Sequence, residues 1–242
     1  MATTINKQLA LVRNPLLNAY VSSLGRAIAA VSDRPDLDYQ FYIINSEAVN
    51  AFALPGGHVY VTRGLIERTH SGPELAGVLA HEIGHVVKRH GVEKLQRHLR
   101  TGSLVNVLYS IILGGEPEML NQNALRLAGF LWTANHSRED EEEADKLAVE
   151  YLARAGVDPR GMLTLLESLL EVEEADSTTH ASAWFSSHPL TADRIQHTEA
   201  VIRKDAAQVQ PVENAPEMRF ASYPAFLRLV AALPPAPDAG LR

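Results

Sequence analysis

The chain has 242 residues, 46% of them hydrophobic, and a formal net charge of -7. That length and apolar fraction can bury one substantial core, and the acidic balance without any Lys/Arg cluster excludes nucleic acid as a partner. There is no cysteine, which rules out disulfides and a thiolate nucleophile and leaves His, Asp and Glu to hold any metal.

The opening "MATTINKQLALVRNP" lacks the basic start, apolar stretch and small-residue cleavage site of a secretory signal. It fits a cytoplasmic protein if the chain is full length, or a domain whose leader has been removed. Residues from about 16 to 31 carry Leu17, Val21, Leu24, Ile28 and Val31 at helical spacing, and "SDRPD" ends them. "YQFYIINS" and "NAFALPGGHVYVT" are rich in aromatic and β-branched residues and are interrupted by Pro55, Gly56 and Gly57, so they read as a strand followed by a hairpin. Beyond Gly72 the pattern is helical over roughly 73–98, 103–113, 117–134, 139–155, 159–174 and 191–205. A small sheet followed by many helices gives an α+β fold, mostly helical. The domain is expected to span 1–205. Residues 206–242 form a C-terminal extension with room for a short helix and a Pro-rich, disordered tail, "LPPAPDAGLR".

The helix that starts near Gly72 carries the chemistry. "SGPE", Ser71 to Glu74, has the serine and glutamate of a capping box, with Pro73 early in the helix. Leu75, Val78, Leu79, Ile83 and Val86 form its buried stripe, and His81 and His85, one turn apart, project from a neighbouring side. Both imidazoles can reach one ion. Glu82, about 100° around from His81, is badly placed as a ligand but can hold a water, the division of labour in an HExxH metal site. A hydrolytic zinc takes three protein ligands and leaves a fourth position for water, so a third ligand must come from another helix.

"HSREDEEEADKLAVEYLARAG" supplies it. An acidic run at a helix start is also what the helix dipole favours, but Glu141 and Asp145 stand four apart on one face. That spacing lets Glu141 ligate while Asp145 orients a ligand histidine. His90, five residues past His85, falls about 140° around a continuous helix and reads as a packing or capping residue. His58 and His136 have no partner at ligand spacing. A structural zinc site is disfavoured, since such sites close with four Cys or His ligands.

The strings "NAFALPGGHVYVTRGL", "ELAGVLAHEIGHVVKRHG", "SREDEEEAD" and "SSHPLTADRI" together resemble the HtpX and BepA type of zinc metallopeptidase, a gluzincin family that includes CAAX prenyl proteases and the mitochondrial Oma type. The likeness spans roughly residues 14 to 200. It implies a zincin-like fold with one zinc per chain, held by His81, His85 and Glu141. Glu82 is then the general base and Asp145 lies behind the ligands. It also implies that Asn50, Ala51 and Phe52 belong to an edge strand over the cleft, to which a peptide substrate adds as a further strand; a plain hairpin strand is the other reading.

In relatives of the BepA kind the histidine of the HP pair, here His188, lies near the zinc as a further ligand that keeps the enzyme latent. A histidine before proline is otherwise an ordinary loop residue ahead of a helix. Arg194 either stabilises a tetrahedral oxyanion or pins the active-site helices through acidic residues, and Arg138 is open in the same way. The expected function is zinc-dependent endopeptidase action on unfolded or misassembled polypeptides. The alternative is a zinc-bound, chaperone-like peptide-binding module. The longest apolar run, Leu104 to Leu113, is about half the roughly 20 residues of a membrane-spanning helix, so no span is expected. Its apolar stripe packs in the core, covers the cleft or rests on a membrane surface. The resemblance places the protein in the bacterial cell envelope.

Overall fold

The computed structural model describes residues 5–7, 9–100, 135–175, 182–189, 191–205 and 222–237. In chain order these form α1 (Pro15–Ala29), β1 (Gln40–Ile44), β2 (Ala51–Leu54), β3 (His58–Thr62), α2 (Arg63–Ile66), α3 (Gly72–Lys88), α4 (His90–Arg100), α5 (Arg138–Ala155), α6 (Arg160–Ala175), α7 (Ser182–Ser187), α8 (Ala192–Asp205) and α9 (Tyr223–Ala231). The fold is mostly helical with one small mixed sheet, as the pattern of elements implied. The helical segments expected at 103–113 and 117–134 lie outside the described residues.

The sheet has the order β1-β3-β2. β2 and β3 are an antiparallel hairpin in which Phe52 faces Tyr60, and β1 runs parallel to β3 with Tyr42 opposite Tyr60. The turn between β2 and β3 uses Gly56 and Gly57 at φ 99° and 94°, a region that strains residues with a Cβ. Alternation sends Phe41, Ile43, Val59 and Val61 into the main core, while Phe52, Leu54 and Tyr60 pack on the other face with Ile5 and Leu9. Among the described residues β2 is at one edge of the sheet.

α3 is the axis of the molecule. Every residue from Glu74 to His85 is buried, because α1, α5, α6, β2 and β3 all pack around it. Ser71 caps it by accepting from the Glu74 amide (3.3 Å). The expected reciprocal bond is displaced by one residue: Glu74 Oε2 accepts from the His70 amide at 2.7 Å. The crossing with α5 is close because Gly84 faces Ala144; a Cβ at Gly84 would lie 3.2 Å from the Ala144 Cα and carbonyl oxygen. Without that contact the histidines of α3 could not meet the acids of α5.

The single helix expected over 73–98 is two. α3 ends on Arg89, whose φ of 62° is left-handed, and α4 sets off from His90. Arg89 is the one non-glycine residue with positive φ among the described residues. The apolar spacing resumes at Val92 and Leu95, which masks the break in the sequence.

α5 begins with a complete capping box: Ser137 Oγ accepts from the Asp140 amide (3.1 Å), and Asp140 Oδ2 accepts from the Ser137 amide (3.2 Å). With Glu139, Asp140 and Glu141 in its first turn, the helix start is stabilised by its dipole, and Glu141 is fixed where it enters the core. At the far end of the chain α9 packs on α1, with Phe226 stacked on Tyr20 at 4.3 Å between centroids. Phe226 and Val230 belong to the main core, and Arg63 donates to the Pro234 carbonyl at 3.0 Å. α9 therefore contributes to the same core as the rest.

Candidate metal centre

Four side chains from three elements converge on one buried point. His81 and His85 come from α3, Glu141 from the first turn of α5, and His188 from the residue after α7; their donor atoms all lie within 4.8 Å of one another. His81 Nε2 is 3.0 Å from His85 Nε2 and 3.3 Å from His188 Nδ1. Glu141 lies 3.4 Å from His81 Nε2, 3.3 Å from His85 Nε2 and 3.0 Å from His188 Nδ1. A tetrahedral zinc with bonds of about 2.0–2.2 Å spaces its ligand atoms roughly 3.3–3.6 Å apart, close to these separations.

The protons make the same point. His81 Nδ1 is 2.9 Å from Asp145 Oδ1, so in a neutral, metal-bound ring the proton belongs on Nδ1 facing that carboxylate and the Nε2 lone pair is left for the ion. Nε2 faces a carboxylate and another imidazole nitrogen, and His81 is fully buried. Three imidazoles and one carboxylate aimed at a single buried point are the donor types that zinc takes, so the donor set fits a metal ion.

The electrostatics follow from burial and charge. Burial opposes the charged form of His81, yet Glu141 and Asp145 outweigh it and push its basicity up to about 9. Burial drives His85 well below the usual histidine range. Burial also opposes ionisation of Glu141, but His188 and Arg194 hold its carboxyl well below the ordinary value. Arg194 is buried behind the acids: Nε and a terminal nitrogen form a fork on Asp145 at 2.7 Å each, and the other terminal nitrogen meets Glu141 Oε2 at 2.8 Å and the Pro189 carbonyl at 3.1 Å. Arg138, the other arginine singled out in the sequence, is exposed at the start of α5.

Glu82 is buried beside the cluster. Its Oε1 has no hydrogen-bond partner among the described residues and lies 3.5 Å from His188 Nε2. Burial raises its pKa above that of a free glutamate, which makes it a better base. Glu82, His85 and His188 line a cleft whose wall includes Phe52, Ala53 and Leu54 of β2. The Thr62 amide donates to the Asn50 carbonyl at 3.0 Å, so antiparallel alternation turns the main-chain groups of Asn50, Phe52 and Leu54 toward β3 and those of Ala51 and Ala53 toward the open edge. Of the three residues expected on the edge strand, Ala51 turns its backbone away from β3 but is buried, and Ala53, which is partly exposed, shares that direction.

Residues 15–202 match Peptidase family M48. The chain belongs to that family. His81, His85, Glu141 and His188 form the zinc site of this M48 member, of the HExxH type. It is 32% identical over 207 residues to the beta-barrel assembly-enhancing protease of Escherichia coli K12, an alignment covering 84% of this chain and 41% of the relative. It is 34% identical over 180 residues to the mitochondrial metalloendopeptidase OMA1 of Schizosaccharomyces pombe, covering 74% and 51%. The chain spans about two fifths to half of the length of these relatives. Among the described residues no helix is long and apolar enough to cross a membrane.

Three side chains near the M48 site escaped the sequence reading. His90, taken there as a bystander, lies against His85, with 2.8 Å between the two Nδ1 atoms; the turn at Arg89 cancels the 140° offset that a continuous helix would impose. His136 packs between His85 (4.1 Å between centroids) and His188 (5.2 Å). Trp184 stacks on His188 at 4.3 Å, on a helix of six residues, too short for periodicity to show.

Proposed function

We propose that the chain is a zinc-dependent endopeptidase that cleaves unfolded or misassembled polypeptides and that His188 holds it latent. The observation that carries this reading is the position of His188, with Nδ1 among the ligand atoms and Nε2 3.5 Å from Glu82. A hydrolytic zinc keeps one position open for water, whereas a site with four protein ligands is closed. In this reading His81, His85 and Glu141 hold the ion, and His188 occupies the open position until it swings away.

Zinc bound here supplies Lewis acidity, which polarises a peptide carbonyl and makes a water far more acidic. The chain's own residues do the rest. Glu82 accepts a proton from the attacking water on a carboxylate oxygen and delivers it to the amide nitrogen that leaves as the new amine. Asp145 holds the His81 proton on Nδ1. Arg194 acts as a positioning residue, because its donors already serve Asp145, Glu141 and Pro189. The substrate lies extended along β2, exchanging main-chain hydrogen bonds with Ala51 and Ala53. Phe52 and Leu54 shape the wall for its side chains, and Asn50 anchors the strand's start to Thr62.

The likeness to a beta-barrel assembly-enhancing protease supports polypeptides of β-barrel assembly as the substrate class, and with it the bacterial cell envelope as the place of action. The apolar run Leu104 to Leu113, for which the sequence leaves core packing and peripheral membrane contact both open, lies outside the described residues. The closed four-donor site also favours a second reading, a zinc-bound module that captures extended segments without cutting them. Cleavage of β-casein peptides by wild type and by His188→Ala separates the two. Gain of cleavage in the variant supports the latent peptidase; inert proteins that both retain one zinc support the binding module.

A further inference from the structure

The two histidines of α3 are buttressed in parallel ways, and one of these supports has no counterpart in the sequence motifs. Behind His81 stands Asp145, itself gripped by Arg194. Behind His85, on its Nδ1 side, no carboxylate among the described residues is in direct reach. Its Nδ1 meets His90 Nδ1 at 2.8 Å, His90 Nε2 lies 3.2 Å from Glu143 Oε2 and 3.6 Å from Asp140 Oδ1, and Glu143 Oε1 accepts from Lys88 Nζ at 2.6 Å.

The proton positions along this row are fixed from its inner end. His85 turns Nε2 toward Glu141 and His81, so as a neutral ligand it keeps its proton on Nδ1. That proton can be donated only if His90 Nδ1 is an acceptor, which puts the His90 proton on Nε2, facing two carboxylates. The row exists because α3 stops on left-handed Arg89, a strained backbone state for a residue with a side chain. The same strain folds the next residue back against the helix it has just left. His90 is buried, whereas Glu143 and Lys88 are partly exposed, so the row runs from the ion's position to the surface.

We propose that His90 and Glu143 are positioning residues for the metal, a carboxylate–histidine pair that fixes the tautomer and ring orientation of His85 as Asp145 does for His81. The inference rests on the zinc-site reading above. Such outer partners typically alter metal affinity 10- to 100-fold when removed. His90→Ala in the full chain is therefore expected to raise the zinc Kd by about that factor, measured by competition with a chelating dye. His90→Asn, whose Oδ1 can accept where Nδ1 did, restores most of the loss. Glu143→Gln, a change at the exposed end that leaves the core untouched, gives a few-fold rise.

Melting of the chelator-treated proteins reports any purely structural role of His90. Wild type with one zinc, weaker binding in His90→Ala, recovery in His90→Asn and unchanged chelator-treated melting support the proposal. Unchanged affinity in His90→Ala overturns it, as does an Asn variant no better than Ala with a lowered melting temperature. Two zinc ions in wild type also overturn it, because His90 and His136 are then ligands of a second ion. A wild type that binds no zinc removes the metal site itself, a failure distinct from the others.

Discussion

Replacing Arg194 with Met keeps a long apolar stem and removes the guanidinium that two buried carboxylates share. The side chains of Glu141 and Asp145 are fully buried and that of Arg194 is 1% exposed, so water cannot take over. Removing one partner from a buried ion pair destabilises by about 3–5 kcal/mol, because the remaining charge is stranded. Against a total stability of about 5–15 kcal/mol for a domain, that is a large fraction. It corresponds to a melting temperature lowered by roughly 6–20 °C, at about 2–4 °C per kcal/mol for a chain of this size. The loss should be largest in chelator, measured by urea unfolding, and smaller with saturating zinc, because a cation beside Glu141 compensates one of the two stranded charges. Arg194→Lys should fall between, since a point charge cannot reproduce the fork on Asp145. A loss below about 1 kcal/mol in chelator, or one that zinc leaves unchanged, would mean that Arg194 does not hold the acids in place.

Three other perturbations reach different parts of the account. Gly84→Val should push α3 from α5, because even a Cβ at this position meets Ala144 backbone at 3.2 Å; weaker zinc binding is expected by dye competition, and unchanged affinity would contradict the close crossing. Burial lowers Lys94 to about 8 from 10.5, so between those values the unfolded chain binds more protons and stability rises with pH. Lys94→Met should flatten that rise in melting temperature between about pH 8 and 10, and an unaltered slope would remove Lys94 as its source. Phe226→Ala should cost about 3–5 kcal/mol by urea unfolding if α9 is part of the core; a near-neutral effect would contradict that packing.

The parts of the site set by one helix or one spacing were legible in the sequence. His81, Glu82 and His85 follow from position on α3, and Glu141 with Asp145 from one turn of α5. What the sequence hid depends on backbone breaks and on partners far apart in the chain. Arg89 adopts a left-handed state normally taken by glycine, and the apolar pattern continues across it, so nothing local marks the turn that carries His90 to His85. The parallel pairing of β1 with β3 is non-local, and its register cannot be read from either strand alone. Ser182–Ser187 is shorter than two helical turns. α9 falls where room for a short helix was expected: Pro224 opens it, and its Phe226 and Val230 stand four apart.

The central claim is that Glu82 performs proton transfer at a zinc held by His81, His85 and Glu141. The direct measurement is zinc content together with β-casein peptide hydrolysis, comparing His188→Ala with the double variant His188→Ala/Glu82→Gln. One zinc per chain in both proteins, with cleavage in the first and none in the second, is the expected result. Cleavage that persists in the double variant with its zinc still bound would contradict the assignment of Glu82.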